Sequence, residues 1–588
     1  MRCGLGRVCY RMKSKINLPG HGRLLGVALA CLTLPGGAPA AGVMEGAIQE
    51  FSADRAAVAA SFTVPWAESG IGRREALLGT WQGRLEALDY AALSPAERID
   101  WHLLNNHLEA SRDGLALERQ RLQEMAPLLA FRTPLQDLLR KKAERQDIDP
   151  EQAASTLATA LQEVKALRKK LEQGKAAEAP PDALKPGAVL AVRSAEAMEQ
   201  LRSALDDWFR FYDGFQPDFS WWVRQPQGAL SKGLEDTAAY LKKECAGLKG
   251  EPDDPLTGDP VGDTALAAQI RHEMIPYSAP ELLAIAEQEF AWCEEEMKRT
   301  ATEMGCADGK AALAKIKAQH APPGAQATLA AGEALGVIRF LQERDLVTLP
   351  PLALETWRMG MLGVEQQKSL PFAVYSEPNM MVAFAHESMT QEDKLMSMRG
   401  NNAAFLHIVT PHELIPGHHL QGFMAKRYAV QRQLFRTPFL VEGWALHWEM
   451  LLWDLGYTAT PEQRTGALFW RMHRCARIIV SLQFHLKQMP PAAMVDFLVE
   501  RVGHERSGAT AEVRRYIGGN YSPLYQAAYM LGGLQLRSLY QSLTGPGKLS
   551  PRAFHDTVLQ QNAIPVEMIR AALTQESLPR DWKPGWRF

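Results

Sequence analysis

The chain has 588 residues, 46% hydrophobic and 22% charged, enough to bury one very large core or several smaller ones. With 65 Lys+Arg against 67 Asp+Glu and a formal net charge of -2, it carries no global field that would recruit nucleic acid or an anionic membrane. Recognition therefore has to come from a local site.

The N-terminus reads as an address. Arg2, Arg7, Arg11, Lys13, Lys15 and Arg23 precede an apolar run from Leu24 to Leu34, and the small residues Ala38-Pro39-Ala40-Ala41 follow. This is the order of a secretory signal over residues 1–40, cut after Ala40, and Met12 is a second candidate start. The apolar run is too short to cross a hydrocarbon core of about 30 Å, so the cleaved chain is expected to be exported, periplasmic or secreted, with no transmembrane span. A lipoprotein anchor through Cys31 is the weaker reading, because Ala28-Leu29-Ala30 orders small and large residues poorly for it. Beyond the signal, Cys245, Cys293, Cys306 and Cys475 show no C-x-x-C spacing and read as free, mostly buried thiols.

The rest is helical in pattern. Leu157, Leu161, Val164, Leu167 and Leu171 recur at spacings of three and four, opposite Lys165, Arg168, Lys169 and Lys170, and predict a helix from Glu151 to Gly174 with a solvated basic face. The aromatic stretch from Trp208 to Trp222 is expected to fill a core or a seam. Gly250, Pro252, Pro255, Gly258, Pro260 and Gly262 prevent regular structure, which divides the chain into an N-terminal helical region (41–249), a linker (250–265) and a catalytic region (266–588). Ser278 and Glu281 have capping-box spacing and start a helix that runs to about Gly305. Phe372–Tyr375 and Phe405–Thr410 are expected as short strands.

The second of these leads into Thr410-Pro411-His412-Glu413-Leu414-Ile415-Pro416-Gly417-His418-His419. A hydrolytic zinc site needs three ligands drawn from His, Glu, Asp or Cys and one open position. In H-E-x-x-H the two histidines stand one helical turn apart and share a face. Here a plain helix would separate His412 and His418 by about 9 Å along its axis and put them on different faces. Pro416 and Gly417 change that, since proline removes a helical hydrogen bond and glycine tolerates unusual backbone angles. If two residues loop out, His418 takes the second ligand position; if three do, His419 takes it. Glu442 is the third ligand, and Glu449, seven residues on and near the same face, can anchor the second nitrogen of a histidine. The competing reading makes Thr410 an N-cap, with Pro411 at the first helical position and Glu413 as its capping partner only.

His412-Glu413-x-x-Pro416-Gly417-His418-His419 followed by Glu442-Gly443-Trp444-Ala445 resembles the bacterial family called domain of unknown function 885. The resemblance extends through Glu512–Tyr516, Pro523–Gly532 and Phe554-His555-Asp556. It implies a gluzincin-like, zincin-type metallopeptidase body: mainly α, large and two-lobed, with a deep cleft and a few short strands near the metal site. The chain departs from the family pattern at Pro523–Tyr529, where a glycine and a glutamine are lost but Tyr529 is kept, and at His447, which replaces an aromatic. Those departures bear on the substrate and leave His412, Glu413, His418 and Glu442 untouched.

The function expected is a zinc-dependent hydrolase, a carboxypeptidase or oligopeptidase-like enzyme acting on short peptides or small amides. Glu413 is its general base. Tyr529, by its match to the family tyrosine, stabilises the oxyanion, with Tyr525 second. Arg515 is a candidate for holding a substrate carboxylate, and His386 and His555 are further site candidates. A zinc amidase or esterase acting on a non-peptide substrate, or an inactive binding protein that retains the site, remains as an alternative.

Overall fold

The computed structural model describes residues 42–176, 178–251, 254–367, 370, 372–519 and 521–588, so the secretory signal expected over residues 1–40 lies outside it. Helices dominate the fold. Three short strands, β1 (Arg358–Met361), β2 (Ala373–Ser376) and β3 (Asn379–Val382), form a small sheet in the order β1-β3-β2. β1 runs parallel to β3 and β2 antiparallel to it, with Tyr375 opposite Met380. This leaves β2 as an edge strand. No helix among the described residues is long and apolar enough to cross a membrane.

The helices start where local chemistry says they should. Asp149 accepts from the backbone N–H groups of Glu151 and Gln152, satisfying donors that the first turn of Pro150–Gln173 cannot pair internally. Leu157, Val164, Leu167 and Leu171 of that helix are buried, each stabilising by roughly 1.5–3 kcal/mol. Ser278 and Glu281 form the expected capping box on Ala279–Glu303, and Phe290, Cys293 and Met297 lie on its buried face.

Burial is organised around two hydrophobic cores. One is local, formed by the helices between Met125 and Ala246. The other joins Met44 through Leu122 to the chain from Leu266 to Leu578, so the first three long helices pack with the C-terminal half across the irregular 246–262 connector. The aromatic stretch divides accordingly. Trp208, Tyr212 and Phe219 belong to the local core, whereas Phe215, at the turn between Ala188–Tyr212 and Pro217–Tyr240, and Trp221, early in the second of these helices, are each 83% exposed. Cys293 and Cys475 are buried free thiols, and Cys245 and Cys306 are free and half-buried.

One expected strand is corrected. Phe405–Thr410 lies inside the Ala403–Glu413 helix, capped by Asn402, whose Oδ1 accepts from the Phe405 N–H at 3.0 Å. Every residue from Ala404 to Glu413 is buried, so this helix has no solvent face and its apolar run shows no amphipathic period. The same finding removes the capping reading of Thr410, because the helix begins seven residues earlier and Glu413 is its last residue.

Candidate metal centre

After Glu413 the chain leaves the helix through Leu414–Gly417 and re-enters at His418–Ala425. The Leu414 N–H still donates to Thr410 at 2.9 Å, whereas the Gly417 N–H turns back to Pro411 at 3.0 Å. Glycine is required in this excursion: a Cβ at Gly417 would stand 1.8 Å from the His412 carbonyl oxygen. Trp444 Nε1 donates to the Pro416 carbonyl at 2.8 Å and ties the loop to the Pro438–Asp454 helix.

The excursion returns His418, rather than His419, to His412. Their rings lie 4.8 Å apart at 88° to each other. His418 Nε2 is 3.3 Å and His412 Nε2 3.7 Å from Glu442 Oε2, and one donor atom from each of the three residues falls within 4.8 Å of the others. His419 points elsewhere: its Nε2 donates to the Ala353 carbonyl at 2.9 Å, and its Nδ1 lies 3.2 Å from the Tyr375 hydroxyl.

Glu442 reaches this point because its helix lies nearly backbone to backbone against Tyr525–Leu543. A Cβ at Gly532 would stand 1.9 Å from the Phe439 carbonyl oxygen, and one at Gly443 would stand 2.5 Å from the Gly532 backbone. The same close approach lets the Tyr525 hydroxyl donate to Glu442 Oε1 at 2.6 Å. Tyr525 thus orients the carboxylate, a role different from the oxyanion donor expected second after Tyr529.

Electrostatically the three side chains ask for a cation. Glu442 Oε2 is buried with no hydrogen-bond partner, although its residue is only 5% exposed. Burial by itself would lower the pKa of His412, but Glu442 and Glu449 outweigh it and raise the imidazole to about 9. Burial likewise opposes ionisation of Glu442, and His418 and His412 together hold it well below the usual carboxylate range. Two imidazoles and one carboxylate around an open position is a zinc-type donor set, so the residues present fit such an ion. Among the described residues this is the one His/Cys/Asp/Glu group with ligand spacing.

Around this group, the His412 Nδ1–H donates to Glu449 Oε1 at 2.7 Å, and Arg474 stands 3.6 Å from the same oxygen. Glu413 Oε2 accepts from the Tyr375 N–H on edge strand β2 at 2.8 Å. Both face a cavity of about 540 Å³, lined also by His412, His418, Glu442, Tyr525 and Tyr529. The Tyr529 ring is stacked with His412 at 6.3 Å and 10°, and burial and Glu442 push its hydroxyl up to about 12.

Arg515 also lines the cavity, in an ion pair of 2.8 Å with Glu512. Two other expected candidates stand outside the cavity lining. His386 is held by Ser388 at 2.8 Å on a half-buried loop, and His555 is buried against His447 at 3.0 Å. Sequence reasoning missed Tyr375, Arg474, Arg477 and Glu512, all of which line the cavity. The signal available for the arginines was the three-residue recurrence of Arg471, Arg474 and Arg477 along one side of the Pro461–His485 helix.

Two solved structures share the fold at low sequence identity. One, described as a "putative lipoprotein of unknown function" from Shewanella oneidensis, matches with a TM-score of 0.65 and 18% identity, covering 91% of this chain and 100% of that one. The other, a "putative lipoprotein" from Colwellia psychrerythraea, matches at 0.58 and 17%, covering 90% of this chain and 97% of that one. No curated protein matches the chain. Residues 61–573 match the family described as bacterial protein of unknown function (DUF885), and the chain belongs to that family.

Proposed function

We propose that this protein is an exported zinc-dependent hydrolase that cleaves short peptides, with His412, His418 and Glu442 holding the ion. The observation that carries the reading is the orphaned Glu442 Oε2, buried between two imidazole nitrogens and beside a carboxylate, Glu413, that ligates nothing in the group. Bound there, zinc would supply Lewis-acid polarisation of a carbonyl and an acidified water.

The remaining chemistry belongs to the chain. Glu413, fixed by the Tyr375 N–H, takes the proton of the attacking water and passes it to the leaving nitrogen. Tyr529 is protonated at neutral pH and lines the same cavity, so it can donate to the developing oxyanion. With the ion bound, Glu449 would keep the proton on His412 Nδ1 and leave Nε2 as the ligand atom, and Tyr525 holds Glu442. Export rests on the basic, apolar and small-residue order of residues 1–40, and both structural neighbours carry the description "putative lipoprotein".

The decisive variant is Glu413→Gln. It should bind zinc like the parent and lose peptide hydrolysis by about 10²–10⁴-fold, the usual worth of a general base. A Glu413→Gln protein that cleaves at the parental rate, or a parent that takes up no zinc on reconstitution, overturns the proposal.

A further inference from the structure

A second charged group lines the same cavity wall. Arg474 and Arg477 stand one helical turn apart on Pro461–His485, and Arg515 comes from Arg506–Ile517. Arg477 is only 3% exposed. Two carboxylates face these three guanidiniums. Glu512 accepts from Arg477 at 3.0 Å, from Arg515 at 2.8 Å and from the Tyr516 hydroxyl at 2.6 Å. Glu449 lies 3.6 Å from Arg474 but is already the acceptor for His412. The neighbouring His473 and His504 are held neutral by burial, His504 at about 4, so they add no charge of either sign.

Buried cations are normally paired, and this wall carries one guanidinium more than it has carboxylates among the described residues. Arg474 Nε, Arg477 Nη1 and Arg515 Nε are each buried without a hydrogen-bond partner. Tyr529 connects the group to the candidate metal centre, its ring lying 4.9 Å from the Arg474 guanidinium carbon, 4.5 Å from that of Arg477, and stacked with His412.

We infer that Arg477 and Arg515, supported by Arg474, bind the free α-carboxylate of a peptide whose terminal amide bond reaches His412, His418 and Glu442. This rests on the hydrolase reading above and sharpens it: the enzyme removes residues from the carboxyl end. The guanidinium fork suits a planar carboxylate, and Tyr529 spans the gap between carboxylate and scissile carbonyl. On hydrolysis the C–N bond breaks, water supplies the hydroxyl to the new carboxyl end, and its proton passes through Glu413 to the leaving amine. The released amino acid keeps its original carboxylate on the arginines.

The test separates this inference from the hydrolase reading by measuring binding in chelator-treated, metal-free protein. The probes are an N-acetyl tripeptide acid, its C-terminal amide and inorganic phosphate, titrated by calorimetry. The acid should bind at least about tenfold tighter than the amide, as expected for a charge-assisted hydrogen bond. Arg515→Gln should erase the difference. Arg477→Lys keeps the charge without the fork and should reduce the difference, covering the case in which Arg515→Gln misfolds. Equal binding of acid and amide by the parent overturns the inference, as does binding of phosphate with none of the tripeptide acid. With zinc restored, cleavage of acid and amide at equal rates overturns it while leaving the hydrolase proposal intact. A metal-free preference for the acid, with no hydrolysis after zinc is restored, leaves the carboxylate-binding role of Arg477 and Arg515 standing and removes the hydrolase proposal together with carboxyl-end cleavage.

Discussion

His412 Nδ1 donates to Glu449 Oε1 at 2.7 Å, a contact that bridges two helices and decides which nitrogen of the ring faces the cavity. Glu449 is held well charged for this role. Burial opposes its ionisation, but Arg474 and His412 lower its pKa below the usual value. Glu449→Ala should therefore leave all three proposed ligands in place and still weaken zinc binding by about 10- to 100-fold, the usual worth of such an outer partner. Competition with a chromophoric chelator measures this directly, and unchanged affinity would show that the contact is only structural.

The two adjacent histidines should separate cleanly on substitution. His418→Ala removes a nitrogen facing Glu442 and should abolish stoichiometric zinc. His419→Ala should retain zinc but cost about 1–3 kcal/mol of stability, because the Ala353 carbonyl loses its buried donor. Metal analysis and thermal unfolding of both variants read the two effects, and loss of zinc from His419→Ala alone would reverse the assignment.

Glycine governs how closely the Glu442 helix approaches the Tyr525–Leu543 helix. Gly532→Ala puts a Cβ 1.9 Å from a backbone oxygen and should cost about 3 kcal/mol and lower zinc occupancy. Gly228→Ala, where a Cβ meets nothing within 4 Å in the middle of Pro217–Tyr240, should instead stabilise by about 0.5–1 kcal/mol. Equal effects in chemical denaturation would mean that the close approach is not what constrains the site.

Glu512 sets an acid limit. Burial would raise its pKa, but Arg515 and Arg477 hold it well below the usual carboxylate range. Its folded value is thus depressed, so its contribution is present above the unfolded value of about 4.3 and is lost as pH falls below it. Glu512→Gln leaves two buried guanidiniums uncompensated and should cost about 3–5 kcal/mol at pH 7. The difference from the parent should shrink steadily from pH 5 downward. A constant difference across that window would assign the loss to packing.

Much of this was readable from local pattern. The Pro150–Gln173 helix and the Ser278 capping box depend on neighbours three and four residues away, and so does the exclusion of a plain H-E-x-x-H helix. Where the environment is non-local, pattern failed. Phe405–Thr410 is β-branched and apolar like a strand, yet it is helical because packing on every side removes the period that would have identified it.

The sequence by itself determined the inventory: two helices, a Pro416-Gly417 interruption, three histidines and two glutamates at spacings that admit a metal centre. Only the tertiary structure decided which of them meet. The loop geometry at Gly417 turns His418 toward Glu442 and His419 toward Ala353, a choice between adjacent residues that helical periodicity cannot make. The arginine wall lay further out of reach, because Arg474 and Arg477 acquire a chemical role only when Glu512, Arg515 and Tyr529 are brought beside them from later in the chain. Ligand spacing is a local property of one or two helices, whereas charge balance in a cavity is a sum over elements that only packing assembles.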